Sequence, residues 1–215
     1  MLNVYAHPFS PFAQKVHYFV EDAGIAYKYN TVDLSKGEQN LEPFKSLNPL
    51  GQVPAIERDG FTLAESNAIL RYLAQRYELS AWYPSTLEDR ATVDQFMDFA
   101  TLHLNRWFLT LAWNLYYGPK FMNSATDHAA VAEAQTNLRK NLEKFERHMM
   151  SGRTYIVGPT QTLADAVLLP FAASYKHAQV ALGDFPATKA WIDRMSARPA
   201  WKKVQAEYEK IAGAR

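Results

Sequence analysis

The chain has no cysteine among its 215 residues. That excludes disulfides, thiolate metal ligands, a Cys-x-x-Cys redox pair and a cysteine nucleophile. An excess of one charge is missing too: 23 Lys and Arg face 22 Asp and Glu, a formal net charge of +1. No strong field draws the chain to nucleic acid or to an anionic membrane. No run approaches the roughly 20 apolar residues of a membrane span. The start, MLNVYAHPFSPF, has neither the basic nor the apolar stretch of a signal peptide. The six histidines (His7, His17, His103, His128, His148 and His177) include no HxxxH pair, so no metal site is expected. What is there is ordinary: 48% hydrophobic and 21% charged residues, enough apolar surface to order the chain. A cytoplasmic, reducing setting is the expectation.

The pattern divides the chain into two halves. In residues 1–77 the element types alternate. Leu2–Ala6 reads as a buried strand. Pro11–Ala23 reads as a helix, with Phe12, Val16, Phe19, Val20 and Ala23 at helical spacing. Tyr27–Leu34 is β-rich, and Leu41–Leu47 is a short helix. Val53–Glu57 and Phe61–Leu63 flank the turn Arg58-Asp59-Gly60 as a hairpin. Glu65–Tyr77 is a third helix, with Ala68, Ile69, Tyr72 and Leu73 on one face. The order β-α-β-α-β-β-α predicts an α/β layer domain. Glu78–Thr86 reads as a linker. The rest carries helical signals only: Asp89–Tyr117, ended by Gly118-Pro119, then Ala125–Met150, Leu163–Ala181, Ala187–Ser196 and Ala200–Ile211. In the second of these, Arg139, Lys140, Glu143, Lys144 and Glu146 are expected on the outer face.

Three short segments carry possible chemistry, each with a plainer reading beside it. Ser10 before Pro11 suits a helix N-cap. It also places a hydroxyl at a positive helix end, where an anion is stabilised. A lone pair spent on the cap leaves the O–H free to donate elsewhere. Gln52-Val53-Pro54 is either an ordinary turn before a strand or, with a cis Val53–Pro54 bond, a backbone edge for a peptide-like ligand. Glu65-Ser66 is helix-start chemistry, or a carboxylate and a helix N–H that together hold an α-amino acid. Thr162-Leu163-Ala164-Asp165 reads as a structural capping box. Trp107, Trp113, Tyr116 and Tyr117 are core residues or the lining of an apolar cleft.

Taken together, HPFSPFAQKV, LNPLGQVPAI, ESNAILRYL ten residues after Pro54, and TLADAVLLP resemble the cytosolic glutathione transferases over essentially the whole chain. The resemblance implies a thioredoxin-like glutathione-binding domain over residues 1–78, followed by an all-helical domain over 87–215 that contributes the electrophile site. It also implies a homodimer and glutathione as co-substrate, with no metal. Among the branches it is closest in pattern to the serine type (theta, delta and phi), which makes Ser10 the catalytic residue. Tyr5 is one residue off the tyrosine-type position, and its side chain faces the other side of the strand. By the same resemblance Val53 pairs with the cysteinyl part of glutathione, Glu65 and Ser66 hold the γ-glutamyl end, and Gln39, Asn40 and Gln52 face the glycyl end. Phe9, Phe12, Arg106, Trp107 and Trp113 are the candidates for the electrophile site. The implied partner is a small hydrophobic electrophile. Conjugation, peroxidase, dehalogenase and isomerase chemistry all stay open, as does a non-catalytic binding or stress-response role. Relatives often carry His or Lys near 39 and 40 and a base at 67. Here Gln39, Asn40 and Asn67 stand there, which implies weaker glutathione binding. Pro11 also removes a backbone donor beside Ser10.

Overall fold

The computed structural model describes residues 1–213 and divides into two compact units, Met1–Tyr83 with the chain from Arg198 onward, and Pro84–Ala197. The first unit is built on a four-stranded sheet in the order β2-β1-β3-β4. Strand β1 is Leu2–Ala6, β2 Tyr27–Thr31, β3 Ala55–Arg58 and β4 Phe61–Ala64. Three helices belong to the same stretch: α1 (Pro11–Asp22), α2 (Phe44–Leu47) and α3 (Ser66–Arg76). The β-α-β-α-β-β-α order expected from the pattern is present, with the second and third strands shorter than read and the fourth one residue longer. The second strand stops at Thr31, and Leu34–Lys36 and Glu38–Asn40 are tight helical turns.

Register explains where the chain's turning points gather. β1 runs parallel to β2, with Ala6 opposite Thr31. β3 runs antiparallel to β1 and to β4, so Tyr5, Ala55 and Ala64 lie in one row across three strands. The end of β1, the start of β3 and the end of β4 are therefore neighbours at about 4.8 Å per strand. The segments that follow or precede them, containing Ser10, Val53 and Glu65, open on the same edge.

Two expectations for this unit change. Helix α1 is buried along all of Ala13–Val20, not on one stripe, while Phe12 is 37% exposed. The reason is α10 (Pro199–Gly213), which the sequence assigns to the helical half. Instead it covers α1. Arg198 donates two hydrogen bonds to the Asp22 carboxylate (2.9 and 2.8 Å), Lys203 pairs with Glu21 at 2.6 Å, and Trp201 meets Tyr18 edge-on. The chain at Glu78–Thr86 is also anchored, because Trp82 and Tyr83 are buried and Trp82 packs edge-on against Phe19.

The second unit is all helical. α4 (Leu87–Phe99), α5 (Arg106–Ala112) and α6 (Gly118–Met122) follow one another through wider π-type turns at Ala100–Asn105 and Trp113–Tyr117. The helical path thus runs past Gly118-Pro119, where the sequence signals a stop. Pro119 falls in the first turn after the wide register, where a helix needs no N–H from it. α7 (His128–Lys144) starts later than expected because Asp127 caps it, accepting from the N–H groups of Ala129 and Ala130 at 3.0 Å. Glu146, expected on the outer face, is instead half-buried. It accepts from Ala187 N–H, Thr188 N–H and Thr188 Oγ at 2.6–2.8 Å, capping α9 (Pro186–Ser196).

α8 (Leu163–Ala173) is the core of this unit and is buried from Leu163 to Ala172. It ends at Ala173, eight residues earlier than the pattern reads, and the hydroxyl of the C-cap Ser174 donates back to Phe171 O at 2.6 Å. Its capping box forms as read, with Thr162 N–H donating to Asp165 at 2.8 Å. Asp165 does more than cap. Its carboxylate, fully buried, also accepts from Ile156 N–H (3.1 Å) and Trp191 Nε1–H (2.7 Å). All its partners are donors, so removal strands several buried N–H groups at once. Asp165→Ala is expected to lower stability by about 4 kcal/mol, read as a fall in the urea midpoint for loss of helical circular dichroism.

Candidate active site

Ser10 initiates α1 in extended geometry (φ −82°, ψ 113°) and its Oγ accepts from Ala13 N–H at 3.3 Å. The cap and the free hydroxyl proton therefore coexist, because the bond uses a lone pair and leaves the O–H to donate. The approach to Ser10 is held tightly. Ser10 N–H donates to His7 O (2.9 Å), Phe9 N–H to His7 Nδ1 (3.2 Å), and Gln14 Nε2 to Pro8 O (2.6 Å). The positive end of a twelve-residue helix adds to the field at the hydroxyl.

The second wall is the loop from Asn48 to Pro54. Buried Asn48 organises it, donating to Gln52 O at 2.7 Å and accepting from Leu50 N–H at 3.1 Å. Gly51 has φ +64°, and a Cβ there would come within 2.7 Å of Asn40 Oδ1 and 3.0 Å of Gln39 O. Only glycine meets both demands. The Val53–Pro54 bond is cis. The β3 ladder begins at Ala55, so the main-chain groups of Val53 take no part in it.

The third wall is the start of α3. Glu65 sits at φ +64°, uncommon for a residue with a side chain, and makes no side-chain cap. Such strain persists only where the surroundings enforce it. Behind it lies Lys15 on α1, 1% exposed, whose Nζ donates to Asn67 Oδ1 at 2.6 Å. Burial pulls the Lys15 ammonium down to about 7, opposed by attraction to Glu65 and assisted by repulsion from Arg71.

These walls enclose a cleft of about 420 Å³ lined by Ser10, Phe12, Leu34, Gln39, Asn48, Gly51, Gln52, Val53, Pro54, Glu65 and Ser66. Of the residues singled out in the sequence, Ser10, Phe12, Gln39, Gln52, Val53, Glu65 and Ser66 come together here. Asn40 stands one layer back, against Gly51. Phe9 lies outside the lining and packs on His7 and Tyr208. Arg106, Trp107 and Trp113 belong to the second unit, where the Arg106 guanidinium lies 4.5 Å over the Trp107 ring and Trp113 is 46% exposed. Leu34, Asn48, Gly51 and Pro54 were not singled out as site residues. Asn48, Gly51 and Pro54 lie in the segment LNPLGQVPAI, of which only Gln52 and Val53 carry expected roles. Lys15 had no signal at all, since a lysine in an amphipathic helix reads as solvated.

Sequence and structure comparisons give the family of the fold. The family model described as "Glutathione S-transferase, N-terminal domain" matches residues 1–75, and "Glutathione S-transferase, C-terminal domain" matches 106–199. Glutathione S-transferase F10 of Arabidopsis thaliana is 30% identical over 214 residues, 97% of this chain and 98% of that protein. The chain belongs to the glutathione transferase superfamily. Glutathione S-transferase theta-1 of Rattus norvegicus is 32% identical over 170 residues, covering 79% of this chain and 71% of that protein. Among solved structures, glutathione transferase F7 from Populus trichocarpa superposes with a TM-score of 0.87 at 28% identity, covering 96% of this chain and 99% of that one. Both domain types of the superfamily are thus present: a thioredoxin-like sheet domain and an all-helical one. No helix among the described residues is long and apolar enough to cross a membrane.

The buried lysine behind Glu65 carries a pH signature. Burial brings it to about 7 in the folded protein, well below the ordinary lysine value of 10.5, so the unfolded chain binds more protons between these limits. Its contribution to stability is therefore complete above the unfolded value and is lost as pH falls toward 7. Relative to Lys15→Met, the native protein is expected to gain up to about 1 kcal/mol per pH unit between pH 7 and 10, measured by urea unfolding of both proteins across that range.

Proposed function

We propose that the protein is a serine-type glutathione transferase that binds glutathione in the cleft of the first unit and presents it as a thiolate to small hydrophobic electrophiles. The observation carrying this reading is the convergence of a helix-start hydroxyl at Ser10, an unladdered backbone at Val53 and the Glu65-Ser66 helix start on one cleft. Ser10 donates its O–H to the sulfur, favouring the charged form of the thiol, and the α1 terminus adds positive field. Val53 pairs through its main chain with the cysteinyl residue. Glu65 takes the ammonium of the γ-glutamyl group, and the N–H groups opening α3 at Ser66 take its carboxylate. Gln39, Asn40 and Gln52 serve the glycyl end. Phe12, which lines the cleft, is the candidate wall for the electrophile. The enzyme supplies orientation and an ionised nucleophile, with no covalent enzyme intermediate. A homodimer and a cytoplasmic setting belong to the same reading.

Ser10→Ala tests it. Turnover of a chloronitrobenzene acceptor is expected to fall about 100-fold, while glutathione still binds and the thiolate absorbance of the complex appears at higher pH. Unchanged turnover in the variant would assign the proton donor elsewhere. Binding without turnover in either protein would favour a non-catalytic role.

A further inference from the structure

Only one residue lining the cleft, Glu65, is charged. A cation stands one layer behind the lining. Lys15 projects from α1 and is 1% exposed. Its Nζ lies 2.6 Å from Asn67 Oδ1 and 5.5 Å from the centre of the Phe12 ring. Among the described residues that amide oxygen is its one hydrogen-bond acceptor, and no carboxylate comes within ion-pair distance. Asn67 follows Ser66 in the first turn of α3, so the ammonium sits beneath the N–H groups that open that helix. A buried charge with only a neutral partner costs free energy, and a cation has the wrong sign for a helix start. Both penalties shrink when an anion reaches the first turn of α3. Phe12, and Ser66 next to Asn67, line the cleft, so a ligand can bring that anion.

We propose that Lys15 is a positioning residue for the α-carboxylate of the γ-glutamyl group: held by Asn67 beneath the start of α3, its ammonium supplies the counter-charge to the carboxylate that the α3 N–H groups receive. The inference rests on the glutathione reading above. Lys15 touches no part of the ligand and acts through Asn67 and the helix start. The charged groups that face it are Glu65 and Arg71, both on α3. The α10 cations Arg198 and Lys203 are paired with Asp22 and Glu21 at the other end of α1. Burial brings Lys15 to about 7, so its charge, and the support it gives the carboxylate, falls away as pH rises past neutrality. A bound carboxylate in turn favours the charged form.

The test compares glutathione with 4-aminobutyryl-cysteinyl-glycine, the same tripeptide without its α-carboxylate, titrated by calorimetry into the native protein and Lys15→Met. At about pH 6.5, Lys15→Met should weaken glutathione about tenfold and leave the analogue unchanged. In the native protein the preference for glutathione should narrow by a similar factor between about pH 6.5 and about 8.5, whereas in Lys15→Met it should stay level. The thiol is common to both ligands and cancels in the ratio. Equal weakening of both ligands, no change in either, or a native preference that stays level across that range overturns the role of Lys15 and leaves the glutathione reading intact. The pH comparison uses the native protein alone, so it decides even where Lys15→Met does not fold. A native protein that binds neither tripeptide overturns both.

Discussion

The antiparallel pairing of β3 with β1 is the constraint on which the site depends. Because Ala55 lies between Tyr5 and Ala64, three turning points of the chain must emerge at one edge of the sheet. Each is a place where backbone groups are not consumed by regular structure. Ser10 begins a helix, Val53 precedes a ladder, and Ser66 begins another helix. A helix start offers unpaired N–H donors, and an open strand edge offers both N–H and C=O groups. Bringing them together makes a surface suited to an anionic, peptide-like ligand before any side chain is considered. A slip of one residue in that pairing would turn Ile56 from the core to the other face and separate the three.

Side chains then refine what the register assembles. Asn48 ties the loop, Gly51 admits close approach, and Lys15 sits beneath the strained Glu65. The second unit uses the same device for a different purpose. Asp165 gathers donors from three segments around the start of α8, and Glu146 caps α9 from a distant helix. Carboxylates, one buried and one half-buried, organise the helical core here, whereas the buried Lys15 sits behind the cleft.

Much of the candidate site was legible because its residues are punctuation. Ser before Pro, Pro after Val in a strand approach, and a Glu-Ser helix start each signal a break in backbone hydrogen bonding within two or three residues. The buried cation was not legible. Lys15 looks like a solvated helix residue in one dimension, and only the packing of α3 on α1 gives it a setting. The electrophile candidates Arg106, Trp107 and Trp113 share this difficulty, since helical phase decides which way each one points.

The sequence by itself determined the β-α-β-α-β-β-α order of the first 77 residues, the change to helices after it, the helix start at Ser10 and the capping box from Thr162 to Asp165. These follow from local sterics and nearest-neighbour hydrogen bonds, which act over a few residues. Tertiary structure alone decided that α10 covers α1 through Arg198 and Asp22, residues 176 positions apart. It alone let the helix run through Gly118-Pro119, drew Glu146 inward to cap α9 and buried Lys15. Each of these outcomes turns on a partner distant in sequence, and the free energy of burial and pairing with that partner exceeds the local preference it overrides.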